Sequence, residues 1–204
     1  MNIPIVTSEA INGVNRYLHL TGVSWVQFKN LESAFSSIPG VRLIYLDGGL
    51  EIVILGSEHE YYKRTISLLL EAYMRSENIR FYSQGSATLG SQEVNAQKEP
   101  DESYSFNAQK ATPDLVIEVI VTSGGINTLE MYQRIGIPEV WLWEDGNLKV
   151  YELTGECQGY KKIQTSNLLP NLDLDLLRKY ITYYDQYDAV TEFLAAMGKG
   201  QCQS

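Results

Sequence analysis

One apolar run in this chain contains a charge. Leu115, Val116, Ile117, Val119, Ile120 and Val121 form an almost unbroken hydrophobic stretch, and Glu118 sits in its middle. Entered through Pro113-Asp114, the run is far too short to span a membrane and reads as a buried strand. A carboxylate inside it is costly unless a cation or hydrogen-bond donors accompany it. What accompanies Glu118 is therefore the main functional question the sequence poses.

The surrounding pattern supplies a frame for that strand. "SWVQFKNLESAF" reads as a helix with a Ser24–Gln27 capping box and an apolar stripe of Trp25, Phe28, Leu31 and Phe35. "VRLIYLDGGLEIVIL" reads as two strands around an Asp-Gly-Gly turn. A helix follows over "SEHEYYKRTISLLLEAYM", with a Ser57–Glu60 box and with His59, Tyr62, Ile66, Leu69, Leu70 and Tyr73 on one face. "IRFYSQGSATL" suggests a strand and then a loop or bulge, and "NAQKAT" is a polar turn between the strands "PDESYSF" and "PDLVIEVIV". "NTLEMYQRIG" has Asn127 as its cap, Glu130 as its box partner, an Ile126–Met131 staple and Gly136 as its stop. "PEVWLWEDGNLKVYEL" is a hairpin turning at Asp145-Gly146, and "DLDLLRKYITYYDQYDAVTEFLAAM" reads as helix to the end. This order predicts an α/β (α+β) fold, a mixed central sheet flanked by helices. Residues 1–23 are expected to form an N-terminal extension, 24–195 a single domain and 196–204 a C-terminal tail.

Strand geometry narrows the partners of Glu118. Asp114 shares its face, but four residues at about 3.3 Å each separate the two by roughly 13 Å, too far to hold one ion. Asp114 reads as a strand-entry residue. If "PDESYSF" and "PDLVIEVIV" pair antiparallel about Ala108-Gln109, residues whose numbers sum to about 219 face each other, which sets Asp101 opposite Glu118. Two opposed carboxylates in a half-dry site either raise a pKa or hold an ion. Hard oxygen donors favour Mg²⁺ or Mn²⁺ over zinc, and such a site suits metal-assisted hydrolysis of a phosphodiester.

The totals restrict partners and compartment. The 204 residues carry a net charge of −9 with a pI near 4.7, which argues against a broadly basic nucleic-acid surface without excluding a local groove. Cys157 and Cys202 are too few and too distant for a disulfide framework or thiolate zinc site, and the first residues have neither a basic leader nor a long apolar stretch. A reducing cytoplasm is the expected compartment, with no membrane span.

These residues carry a resemblance. "EPDESY", "PDLVIEVIVTSGGIN", "LEMYQRIGIPEVWLWEDG" and "LLPNLDLDLL", with "YLDGGLEI" and "SEHEYY", resemble the restriction-endonuclease-like Uma-two family, abundant in cyanobacteria, within the PD-(D/E)XK nuclease superfamily. The resemblance runs from about Ser24 to Tyr180. It implies a restriction-endonuclease-like core, DNA as the substrate, Mg²⁺ or Mn²⁺ as cofactor and a homodimer. It makes Asp101 and Glu118 the metal ligands, the Val119 carbonyl a third, and places His59 and Glu58 at the border of the site. It also exposes a gap. The basic residue of the superfamily pattern falls at Ile120, and the family's alternative lysine position on the following helix falls at Thr128. Neither supplies positive charge, and Lys110 and Arg134 are poorly placed to replace it, so Thr128→Lys is expected to create or raise activity.

Plainer readings stand beside these. Glu118 could pair with a core arginine, and an arginine filling the gap to Asp101 would remove the hydrolase reading. Pro-Asp-Glu-Ser at residues 100–103 is also ordinary turn chemistry, and His59 a capping or core histidine. Gly124-Gly125 has no following Lys-Ser/Thr and reads as a loop, while Trp141 and Trp143 read as core residues. The rival to an endonuclease is a catalytically degenerate nuclease-fold protein serving as a binding or assembly module.

Overall fold

The computed structural model describes residues 16–121, 126–155 and 158–201. Cys157, Cys202 and Gly124-Gly125 lie outside them. In chain order the elements are β1 (Arg16–Leu20), α1 (Trp25–Phe35), β2 (Val41–Leu46), β3 (Gly49–Ile54), α2 (Ser57–Ser76), β4 (Phe81–Ser83), β5 (Leu89–Ser91), β6 (Ala96–Lys98), β7 (Glu102–Phe106) and β8 (Leu115–Ile120). They continue with α3 (Thr128–Ile135), β9 (Glu139–Glu144), β10 (Asn147–Leu153), β11 (Tyr160–Ile163), α4 (Leu174–Ile181) and α5 (Gln186–Gln201). The fold is α+β, as the pattern indicates, but its strands divide into two sheets.

The larger sheet has six strands in the order β11-β10-β9-β8-β7-β4, antiparallel except where β8 runs parallel to β9. A parallel neighbour requires a crossover, and α3 supplies it. Strand β8 is covered on both faces, which explains its nearly continuous apolar sequence. Leu115, Ile117 and Val119 point into the main core, packed with Ile66, Leu70 and Tyr73 of α2 and Phe193 of α5. Val116 points the other way, into a smaller core with Tyr132 of α3, Val140 of β9 and Leu89 of β5. By alternation Glu118 shares this second face. Trp141 and Trp143 are buried in the main core.

The smaller sheet has five strands in the order β1-β3-β2-β6-β5, all antiparallel. Its central hairpin turns through Asp47 and Gly48 with positive φ values of 48° and 82°, the left-handed pair that Asp-Gly is suited to adopt. Helix α1 seals it through Phe28, stacked on Tyr45 with centroids 4.9 Å apart. The Ser24–Gln27 box is formed reciprocally.

Four local expectations need correction. The Ser57–Glu60 box is absent, because α2 begins one residue earlier in register: Gly56 is its N-cap and Ser57 is already helical. The last segment is two helices. Asp185 accepts the Asp188 amide at 3.0 Å and starts α5, and the Thr182 hydroxyl donates to the Lys179 carbonyl as α4 ends. Residues 16–20, within the segment expected to be an extension, form β1 against β3. The segment read as ending in a loop or bulge at Leu89 instead enters a strand there, the first of a short hairpin, β5–β6. At Gly90 this hairpin requires glycine: φ is +98°, and a Cβ would lie 2.1 Å from the Ala96 carbonyl oxygen.

Candidate functional site

The β7–β8 ladder pairs Glu102 with Ile117, Ser103 with Val116 and Tyr104 with Leu115. Each pair of numbers sums to 219, so the sequence-derived register is the observed one, and its continuation sets Asp101 beside Glu118. Both carboxylates are nearly inaccessible, at 2% and 4% exposure. Asp101 reaches across to β8, where its Oδ2 accepts the Val119 amide at 2.8 Å. The two acids, His59, Val119, Ile120 and Thr128 line one small cleft of about 60 Å³. Glu58 does not: it is exposed in the first turn of α2 and its charge is felt by Tyr62.

Every acidic oxygen in the pair has a donor. Asp101 Oδ1 accepts Arg42 Nη1 at 2.7 Å, and Oδ2 also lies 2.9 Å from His59 Nε2. Glu118 Oε2 lies 2.9 Å from Lys98 Nζ, and Oε1 accepts a hydrogen bond from the Tyr132 hydroxyl. Burial works against ionisation of Asp101, but the His59 hydrogen bond and the charges of His59, Arg42 and Lys98 outweigh it and hold the carboxyl below its ordinary range. At Glu118 burial prevails. It pushes the carboxyl up to about 7, with Lys98 opposing and the Asp101 charge adding to the rise.

An arginine is therefore present, but on Asp101 rather than Glu118. The other bonds of Arg42 run to the Pro100 carbonyl at 3.4 Å and Ser86 Oγ at 3.2 Å, so it flanks the acidic pair without bridging it. The cation that the sequence pattern lacked is also present. Lys98 enters from β6, in the other sheet, with its side chain only 10% exposed. Lys110 and Arg134 are engaged elsewhere, with Asp114 at 2.7 Å and with Glu130 at 2.9 Å. Lys98 precedes Asp101 by only three residues. The signal that could have found it is the Ala96–Lys98 alternation, which places both side chains on one strand face, but this needed β6 to be read as a strand.

A third acid, Glu51 of β3, also lines the cleft. It is buried, accepts the Ile126 amide at 2.7 Å and lies 3.5 Å from His19 Nδ1. This ties the start of α3, and so Thr128, to the smaller sheet.

Among the described residues no group of three or more His, Cys, Asp and Glu side chains is arranged to hold a metal ion. The donor chemistry of Asp101 and Glu118 nevertheless fits a hard divalent cation: both offer carboxylate oxygens on adjoining strands. Burial is the main cause that raises the Glu118 carboxyl, against the opposing charge of Lys98. Such an ion would have to compete with Lys98 for Glu118 and with Arg42 and His59 for Asp101.

The α+β fold, two sheets with five helices, is consistent with a restriction-endonuclease-like core. The Uma2 family model, described as "Putative restriction endonuclease", matches residues 25–182, and the chain belongs to that family. No curated protein matches it. Among the described residues no helix is long and apolar enough to cross a membrane.

Proposed function

We propose that this chain is a metal-dependent endonuclease that hydrolyses DNA phosphodiester bonds. The observation that supports the reading most directly is the convergence of Asp101 and Glu118, both buried and from adjoining strands, in one cleft. Asp101, Glu118 and the Val119 carbonyl would hold Mg²⁺ or Mn²⁺. When bound, such an ion supplies Lewis-acid polarisation of a phosphoryl oxygen and acidifies water. His59 and Arg42 fix the Asp101 carboxylate from two sides, limiting its rotation. Tyr132 does the same for Glu118. Thr128, at the mouth of α3, contributes a hydroxyl that can orient water. A homodimer, acting on both strands of a duplex, suits this class.

The test is a plasmid-nicking assay with Mg²⁺ or Mn²⁺. Cleavage that disappears in Glu118→Ala supports the reading, and a pure wild-type protein that cuts no DNA with either metal defeats it. A second reading is favoured by one observation: all four carboxylate oxygens already have donors, two of them cationic side chains. On that reading the network is structural and the chain is a binding or assembly module. Calorimetric binding of Mn²⁺ without nicking would select it.

A further inference from the structure

We infer that Lys98 is the catalytic cation of this site, delivered from the smaller sheet to do the work for which Thr128 lacks a charge. The inference rests on the endonuclease reading and adds to it a residue that local strand spacing does not reveal. Lys98 Nζ lies 2.9 Å from Glu118 Oε2 and lines the same cleft as the acidic pair. A phosphoryl group bound at that pair, and the water attacking it, must lie within a few ångströms of Glu118. The ammonium can therefore touch either by a small rotation of its own stem. Preorganised positive charge at that point is what a phosphorane-like transition state requires.

Two features hold the lysine there. Strand β6 is clamped between β2 and β5, and its middle residue Gln97 accepts Lys29 Nζ at 3.1 Å and donates to Glu32. The Tyr132 ring stands 5.8 Å from Nζ and walls one side of its path. Thr128 lines the same cleft from α3, on the opposite side from β6 in chain origin, so a lysine placed there approaches the same acids. Positions 98 and 128 are thus two alternative anchor points for one charge. A structural counterion is the competing role, and the two roles part company experimentally. A counterion for Glu118 stabilises the empty site and competes with metal. A catalytic cation governs turnover and can be moved.

The experiment compares wild type, Lys98→Met, Thr128→Lys and the double variant by single-turnover nicking, with Mn²⁺ affinity by calorimetry and DNA affinity in EDTA read in parallel. Lys98→Met is expected to lower the cleavage rate by about 100-fold. Its Mn²⁺ affinity should hold or rise, because a competing ammonium is gone, and its metal-free DNA affinity should hold. Thr128→Lys should give a small gain in wild type and a gain of about tenfold or more in the Lys98→Met background. Lys98→Met cutting like wild type, or Thr128→Lys helping wild type more than the Lys98→Met variant, overturns the inference while leaving the endonuclease reading intact. Loss of Mn²⁺ affinity in step with rate also overturns it, because the lower rate then follows from a weakened metal site and not from a missing cation. If Lys98→Met does not fold, Lys98→Gln carries the test. It keeps a hydrogen-bond donor for Glu118 but removes the charge, and a wild-type rate in that variant refutes the assignment. A wild type inert with every metal removes both readings together.

Discussion

Glu118 is the residue whose chemistry can be checked most directly. In the metal-free protein its folded pKa lies near 7 against an ordinary value of 4.5, so the folded state binds the proton more tightly than the unfolded chain. Its contribution to stability is then fully present below about 4.5 and is lost as pH rises through about 7. Melting curves in EDTA should show wild type losing stability relative to Glu118→Gln across that window. Parallel profiles would show that Glu118 titrates normally. Tyr132 offers a second check. Its hydroxyl is buried against Glu118 Oε1, and Tyr132→Phe deletes that donor while preserving the ring that packs on Val116 and Val140. The variant should lose about 1–3 kcal/mol in urea unfolding, the cost of an unsatisfied buried acceptor. A loss within error of zero would mean that the cleft admits water to replace the hydroxyl. Glu118 is legible in the sequence as a candidate site residue because a lone carboxylate in an apolar strand is too costly to keep without a partner or a task. Its partners were not legible, because no local pattern records which distant side chain reaches it.

Among the elements, the ones read correctly are those whose signals are local. The Asp-Gly turns at 47–48 and 145–146, the Ser24 box and the Gly136 stop are set by a few adjacent residues. The β7–β8 register follows from a short turn and a two-residue alternation. Helix α2 shows how close a correct motif can be to the wrong assignment: Ser57 and Glu60 have box spacing, but Gly56 takes the cap. The break between α4 and α5 was hidden because Asp185 is equally compatible with a helix interior and a cap until the packing of Tyr180 and Phe193 decides. The β5–β6 hairpin was missed for a different reason. Its strands are three residues each, too short to establish a period. Yet this hairpin carries Lys98, and Gly90 is its critical residue. Gly90→Ala forces a Cβ onto the Ala96 carbonyl at 2.1 Å and places alanine at φ +98°. It should cost more than about 1 kcal/mol and reduce nicking by displacing β6. Wild-type stability and rate in that variant would show that the hairpin does not position the lysine.

At the scale of the molecule, the site is a seam between two sheets. The paired acids Asp101 and Glu118 stand on the larger sheet, and the cations Arg42 and Lys98 that face them come from the smaller one. Glu51 and the Ile126 amide reverse the direction with a bond from the smaller sheet to the α3 entry. On the proposed function, activity and cohesion draw on the same residues, and removing an acid should weaken the junction as well as any reaction. Asp101→Ala strands Arg42, His59 and the Val119 amide in the cleft without their shared acceptor. It is expected to destabilise the metal-free protein by about 3 kcal/mol, because a largely buried guanidinium loses its only carboxylate partner among the described residues. Asp101→Asn retains a carbonyl for the Val119 amide and should lose less. Urea unfolding of the two variants in EDTA, ranked against wild type, tests this order. If Asp101→Ala unfolds at the wild-type denaturant concentration, the carboxylate does not hold the sheets together. The Arg42 and His59 contacts would then be incidental to a site kept for chemistry alone.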